Sequence, residues 1–197
     1  VLTMNMSEAT FSAISGFLNN IPVYGDELQL IKTHMGYDRL IMRCTEGIDR
    51  GRMKYDKIQK MQTWKTAYIF TGEEPCTMEN SGGGAKNRVI EFECVEKVVE
   101  NGNAVVNFIN ENYGFAGSKF VSAIANEDLK EQYSEILKEL LEQDTTEKQA
   151  MAMACMLLGD KMACKYIYTN ETPLTVSDVA VFLKSKKEVD ISERAYD

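Results

Sequence analysis

Paired cysteines, clustered histidines and long apolar runs are all missing from this 197-residue chain, and each absence removes a class of protein. The five cysteines (44, 76, 94, 155 and 164) contain no CxxC spacing, and their odd number argues against a closed disulfide framework, so they are expected to be reduced thiols. With one histidine, His34, in a polar, glycine-flanked stretch, a zinc site has almost no ligands to draw on. No window approaches the eighteen or so apolar residues of a membrane span, and no charged-then-apolar leader opens the chain. A cytoplasmic protein without membrane contact is expected. The GxxxxGK[ST] phosphate loop is also missing; Ser81-Gly-Gly-Gly84 lacks its lysine and reads as a flexible turn. There is no internal repeat.

The chain does have enough apolar residues, 44%, to bury a sizeable core, and a length that suits one domain or one and a fraction. Its net charge of −8 is unevenly spread. Between Ile41 and Thr66 seven basic residues stand against three acidic ones, a local charge of +4, whereas residues 121–197 carry nine basic and fifteen acidic residues, a charge of −6. An acidic body with one basic segment can touch a polyanion locally without binding it indiscriminately. Within that segment Arg50, Arg52, Lys54 and Lys57 form an exposed loop or hairpin. They read either as contacts to nucleic-acid phosphates or as a solvated charged loop.

The chain is organised around Ile21-Pro-Val-Tyr-Gly-Asp-Glu-Leu-Gln29, an apolar run that ends in two adjacent carboxylates. β-Branched and aromatic residues predict a buried strand whose C-terminal end delivers Asp26 and Glu27 to a crevice, the place where open α/β sheets bind ligands. Such charges need metal, cationic partners or water. The same arrangement in nucleoside triphosphatases, called Walker B, serves magnesium and the attacking water. The plainer alternative is a loop in which the carboxylates cap a helix beginning at Leu28. A second strand, Trp64 to Thr71, ends on a hydroxyl, and a third, Arg88 to Cys94, begins with an arginine. The strands ending at Gly25 and Thr71 are expected side by side and parallel, with the helix from Tyr37 in the crossover.

Helices are predicted from Ser7 to Asn19, from Tyr37 to a stop at Gly47, and from Asn103 to Tyr113. Beyond residue 120 the chain reads as wholly helical. A helix from Leu129 to Leu141 follows an acidic first turn. Asp144-Thr-Thr-Glu147 reads as a capping box opening an Ala- and Met-rich helix to about Tyr168, and a last helix runs from Thr175 to Lys184. The methionine stripe (151, 153, 156, 162) reads as core filler. The expected fold is α/β, a parallel sheet over residues 1–120 followed by a helical region over 121–197.

Four segments occur in one order: IPVYGDELQ, TEGIDRGRMKY, WKTAYIFTGEEP and GGGAKNRVIEFEC. Together with NYGFAGSKFVSAI, AMACMLLGDKM and the closing SERAYD, they resemble the ATPase domain of a domain-of-unknown-function family. That family occurs in phages, plasmids and integrated elements beside primase modules, and its members are helicase-like P-loop triphosphatases. The resemblance implies a RecA/AAA-like core from Walker B onward and the C-terminal portion of a larger ATPase. It also implies ATP and Mg2+ as ligands, single-stranded DNA as partner and a possible homo-oligomeric ring. In that pattern Asp26 would hold magnesium, Glu27 would polarise the attacking water, Thr71 would be the sensor and Arg88 a charge stabiliser. A non-catalytic nucleic-acid or partner-binding module and a plain assembly domain are the alternatives.

Overall fold

The computed structural model describes residues 2–33, 36–50, 53–54, 57–58, 60–97 and 99–190. The chain divides into two compact units, one built on residues up to Val89 and one on Ile90–Glu188. The division falls before the expected boundary at 120.

The first unit is mixed α/β. Strand β1 (Leu2–Thr3) leads into helix α1 (Glu8–Leu18), whose N-cap Ser7 accepts the Thr10 amide at 3.2 Å. Strand β2 (Val23–Asp26) follows, then a 3-10 turn over Leu28–Thr33 and helix α2 (Tyr37–Glu46). Gly47 ends α2 at φ 70°, and a β-carbon there would meet the Trp64 carbonyl at 2.9 Å. The basic segment is an antiparallel hairpin, β3 (Met53–Lys54) with β4 (Lys57–Ile58). Strand β5 (Tyr68–Phe70) then completes a three-stranded parallel sheet of order β1-β2-β5. Its register pairs Leu2 with Gly25 and Gly25 with Phe70.

Sheet pleat and core composition fix which face is inside. Met4, Phe11, Leu28, Ile31, Leu40 and Ile41 form the buried cluster, with Tyr68 and Phe70 packed against it. Val23 and Gly25 point inward, whereas Tyr24 and Asp26 are exposed. The central strand is therefore half-buried rather than buried on both faces, as its unbroken apolar reading had suggested. Gly25 has no room for a side chain, since a β-carbon would stand 2.7 Å from Met4 Sδ and 2.8 Å from the Phe70 ring. Only three residues of the predicted Trp64–Thr71 strand are paired. Trp64 turns inward instead, fully buried, and its indole N–H donates to the Cys44 carbonyl at 3.0 Å.

Two further expectations need correction. The Ser81–Gly84 turn leads into a short helix, α3 (Gly83–Lys86), fastened to α2 because Asp38 accepts the Ser81 hydroxyl at 2.7 Å and the Gly82 amide at 2.9 Å. Arg88–Cys94 forms no strand. Its apolar residues are taken by helices rather than by a sheet edge: Ile90 packs on the second unit's core, and Phe92 lies 4.7 Å from Phe182, ring to ring.

The second unit is helical: α4 (Gly102–Asn112), α5 (Phe115–Ile124), α6 (Leu129–Leu141), α7 (Glu147–Tyr166), α8 (Val176–Val179) with a 3-10 turn over Ala180–Phe182, and α9 (Lys186–Val189). Leu140 of α6 packs among Ala150, Met153, Ala154 and Leu157 of α7, the alanines letting the two backbones approach. Of the methionine stripe, Met153 and Met162 are core, but Met151 and Met156 are 44% and 46% exposed. The N-cap of α7 is Thr146, which accepts the Gln149 amide, rather than Asp144. Thr145, also buried, donates to the Lys184 carbonyl at 3.1 Å. Glu127 receives both the Lys165 ammonium and the Tyr166 hydroxyl, which tie the start of α6 to the end of α7. Among the described residues no helix is long and apolar enough to cross a membrane.

Candidate active site at the sheet edge

Three parallel strands end at one edge, and each ends on an oxygen-bearing side chain. Thr3 closes β1, Asp26 and Glu27 close β2, and Thr71 follows β5. The pairing of β2 with β5 sets Gly25 against Phe70, so Asp26 and Thr71 are the next pair along. Backbone bonds lock that relation: the Thr71 amide donates to the Gly25 carbonyl at 3.0 Å, and the Leu28 amide to the Thr71 carbonyl at 2.9 Å.

The side chains form a short relay. The Thr71 hydroxyl donates to Asp26 Oδ1, and the Tyr24 hydroxyl reaches Thr71 Oγ1 at 3.4 Å. Asp26 Oδ1 also accepts the Glu27 amide at 2.9 Å, which leaves Oδ2 without a described partner. The Thr71 hydroxyl, and next the Glu27 amide, hold the Asp26 carboxyl below its usual range, with burial opposing weakly. It is ionised at neutral pH. Thr3 Oγ1 donates to Glu27 Oε2 at 3.3 Å. Glu27 has φ 58°, one of two non-glycine residues with positive φ among those described. An L-residue is strained in that region. Gly72 lets the chain pass close by, because a β-carbon there would stand 2.9 Å from Leu28 Cβ.

Of the residues singled out from sequence, Asp26, Glu27 and Thr71 thus meet at one exposed edge. Arg88 is not among them. Its guanidinium donates to the Gly84 carbonyl at 2.6 Å, beside α2, and no described contact joins it to the carboxylates. Arg50 is exposed, its amide held by Asp49 at 2.7 Å. Lys54 and Lys57 sit opposite each other in the hairpin register, and Arg52 lies outside the described residues. The hairpin's base is pinned: Ile48 bridges Thr63, the Asp49 amide donates to Gln62 at 2.8 Å, and buried Arg43 pairs with Asp49.

Thr3 and Tyr24 were not singled out from sequence. Thr3 carries the same signal as Thr71, a hydroxyl straight after β-forming residues, but its strand is two residues long. Tyr24 reads as core until the pleat is known.

Chemically, the edge offers hard oxygen donors, two carboxylates and two hydroxyls, of the kind that suits a water-rich magnesium ion. Among the described residues no group of three or more His, Cys, Asp or Glu side chains gathers to hold a metal. The chain matches no protein-family model, no curated protein and no solved structure.

Proposed function

We propose that this edge is the Walker B and sensor half of a nucleotide-hydrolysing site, and that the chain is part of an ATP-dependent, helicase-like motor of a mobile-element or phage replication protein. The observation that carries the reading is the bond from Thr71 to Asp26 across neighbouring parallel strands, with Glu27 next in line. The order β1-β2-β5, all parallel, suits a RecA/AAA-like sheet in which a phosphate-binding strand and loop lie outside these residues. In this reading Asp26 would hold a magnesium ion, which would supply charge neutralisation at the phosphates. Glu27 accepts the proton of the attacking water, and Thr71 keeps the two carboxylates in register. A site without a phosphate cradle positions water but does not hold the γ-phosphate in line, so these 197 residues alone are expected to hydrolyse no ATP above background. In a longer protein that carries the GxxxxGK[ST] loop, Glu27→Gln is expected to abolish turnover and largely spare nucleotide binding, while Asp26→Asn weakens magnesium-nucleotide binding. Full turnover in the Glu27→Gln protein rejects the assignment.

A second reading, a nucleic-acid-binding module without catalysis, is favoured by the pinned antiparallel hairpin that carries Lys54 and Lys57. Here Arg50, Arg52, Lys54 and Lys57 contact phosphates of single-stranded DNA, and each lost contact lowers the slope of log affinity against log salt by about 0.7. Unchanged binding and slope in the Arg50→Ala, Arg52→Ala protein rejects it.

A further inference from the structure

Helix α1 ends on the most exposed large apolar side chain among the described residues, Phe17, at 87%. The helix buries its other side through Phe11, Ser12 and Ser15. Gly16 shows what this end of α1 rests on: a β-carbon there would stand 2.6 Å from Gln62 Oε1 and 2.7 Å from Gln62 Cβ, so the helix lies against the chain that returns from the basic hairpin. Beyond the helix the contact continues as hydrogen bonds, from the Lys65 amide to the Asn19 carbonyl at 3.1 Å and from the Thr66 hydroxyl to the Ile21 carbonyl at 2.7 Å. On its other side the returning chain is held by the hairpin's base, where the Asp49 amide donates to Gln62 and the Trp64 amide to Gly47. Residues 16–21, 62–66 and 47–49 therefore run side by side. Two chain spacings, about 10 Å, separate the end of α1 from the point where Arg50 opens the basic hairpin.

We propose that Phe17 is a base-stacking platform for single-stranded nucleic acid, with Lys65 beside it as a phosphate contact. This assignment rests on the phosphate-contact reading of the basic hairpin and adds the surface that takes the bases. Charge selects the partner. The segment Ile41–Thr66 carries +4 in a chain of −8, and Lys60 and Lys65, exposed and in no described ion pair, carry that positive surface from the hairpin to Asn19. A polyanion is the complementary ligand. The ring selects its form. A duplex hides the faces of its bases within the stack, whereas unpaired bases of any sequence stack on an accessible aromatic face. The rest of the exposed side of α1 is Ala9, Thr10 and Ala13, too small to surround the ring with the apolar core that a protein interface needs. Its neighbours along the strip are instead the exposed amides of Asn19 and Asn20, which can bond base edges, and Ile21 and Met61, 61% and 41% exposed, which can pack on sugars.

The test is binding of fluorescein-labelled oligothymidylate to the 197-residue chain, followed by anisotropy over a salt series. Phe17→Ala is expected to weaken binding about ten-fold and leave the slope of log affinity against log salt unchanged, since stacking releases no counterions. Lys65→Ala should weaken binding and lower that slope by about 0.7. Phe17→Trp should bind at least as tightly as the unmodified chain. Its added indole emission should be quenched by the strand, over a background from Trp64, which is buried. Thermal midpoints should not move, because both side chains face solvent. If Arg50→Ala with Arg52→Ala lowers affinity and slope while Phe17→Ala changes neither, the hairpin reading stands and the stacking platform is overturned. If the chain binds no oligothymidylate even at low salt, both fall. A Phe17→Ala protein that binds the strand normally but sediments as a different oligomer assigns the ring to a protein contact and also overturns the proposal.

Discussion

Thr71 and Asp26 stand at the ends of neighbouring parallel strands, and the Thr71 hydroxyl donates to the same carboxylate oxygen that accepts the Glu27 amide. Both bonds favour the charged carboxylate and hold its titration below the usual range. A group whose folded pKa is depressed contributes stability above its unfolded pKa and loses it as pH falls through the folded one. Replacing Thr71 by Val removes the larger of the two bonds. The Asp26 carboxyl, followed by carbon-detected NMR, is expected to titrate at higher pH in Thr71→Val. The stabilities of the two proteins should differ at neutral pH and converge below the folded pKa of Asp26. An unmoved Asp26 titration would mean that the hydroxyl does not hold it in solution.

Arg43 anchors the first unit. It is 3% exposed, donates to Ser12 of α1 at 2.6 Å, and pairs with Asp49 at the base of the basic hairpin. Removing one member of a buried charge pair costs about 3 kcal/mol or more. Arg43→Leu should lower the urea-unfolding free energy by that amount and loosen the hairpin's amides in hydrogen exchange. A loss under about 1 kcal/mol would show that Asp49 reaches water freely.

Thiol accessibility gives an independent check on both units. Cys44, Cys76 and Cys164 are buried, and Cys94 and Cys155 are exposed. The thiolate is the reactive form, and burial drives the Cys44 thiol above its ordinary range and raises that of Cys155 more mildly. In the native protein an aromatic disulfide reagent should therefore modify Cys94 first and Cys155 more slowly, with the other three reacting only on unfolding. Rapid reaction at Cys44 would contradict the packing of Trp64 over α2.

Much of the helical framework was legible because its signals are local. Ser7 caps α1 through its own side chain, and Gly47 and Gly114 stop α2 and α4 at positive φ. The parallel pairing of β2 with β5 was also legible, since two β-runs joined through a helix make a βαβ unit, which demands that geometry. Strand extent was not. Whether Trp64 joins a sheet or turns to the Cys44 carbonyl, and whether Arg88–Cys94 finds an edge or a helix, depends on distant partners that periodicity does not record. Arg88 illustrates the limit: the strand expected to begin with it does not form, and its guanidinium donates to the carbonyl of Gly84, four residues earlier.

Glu27 offers the sharpest separation of function from stability. Its φ of 58° is one that glycine adopts without cost. For a residue with a β-carbon it costs about 1 to 2 kcal/mol. Its one described side-chain contact is the exposed Thr3 hydroxyl at 3.3 Å, worth little in water. Glu27→Ala keeps the strain and loses the carboxylate, whereas Glu27→Gly loses both. The glycine protein is therefore expected to be more stable than the alanine protein by about 1 kcal/mol, the reverse of the usual order, and close to the unmodified chain. In the longer, loop-bearing protein both variants should be inactive in ATP hydrolysis. A glycine replacement that costs little stability yet abolishes turnover is what a strained catalytic carboxylate predicts. Equal stability of the alanine and glycine proteins would show that the backbone bears no strain there, and retained hydrolysis in either would remove Glu27 from the chemistry.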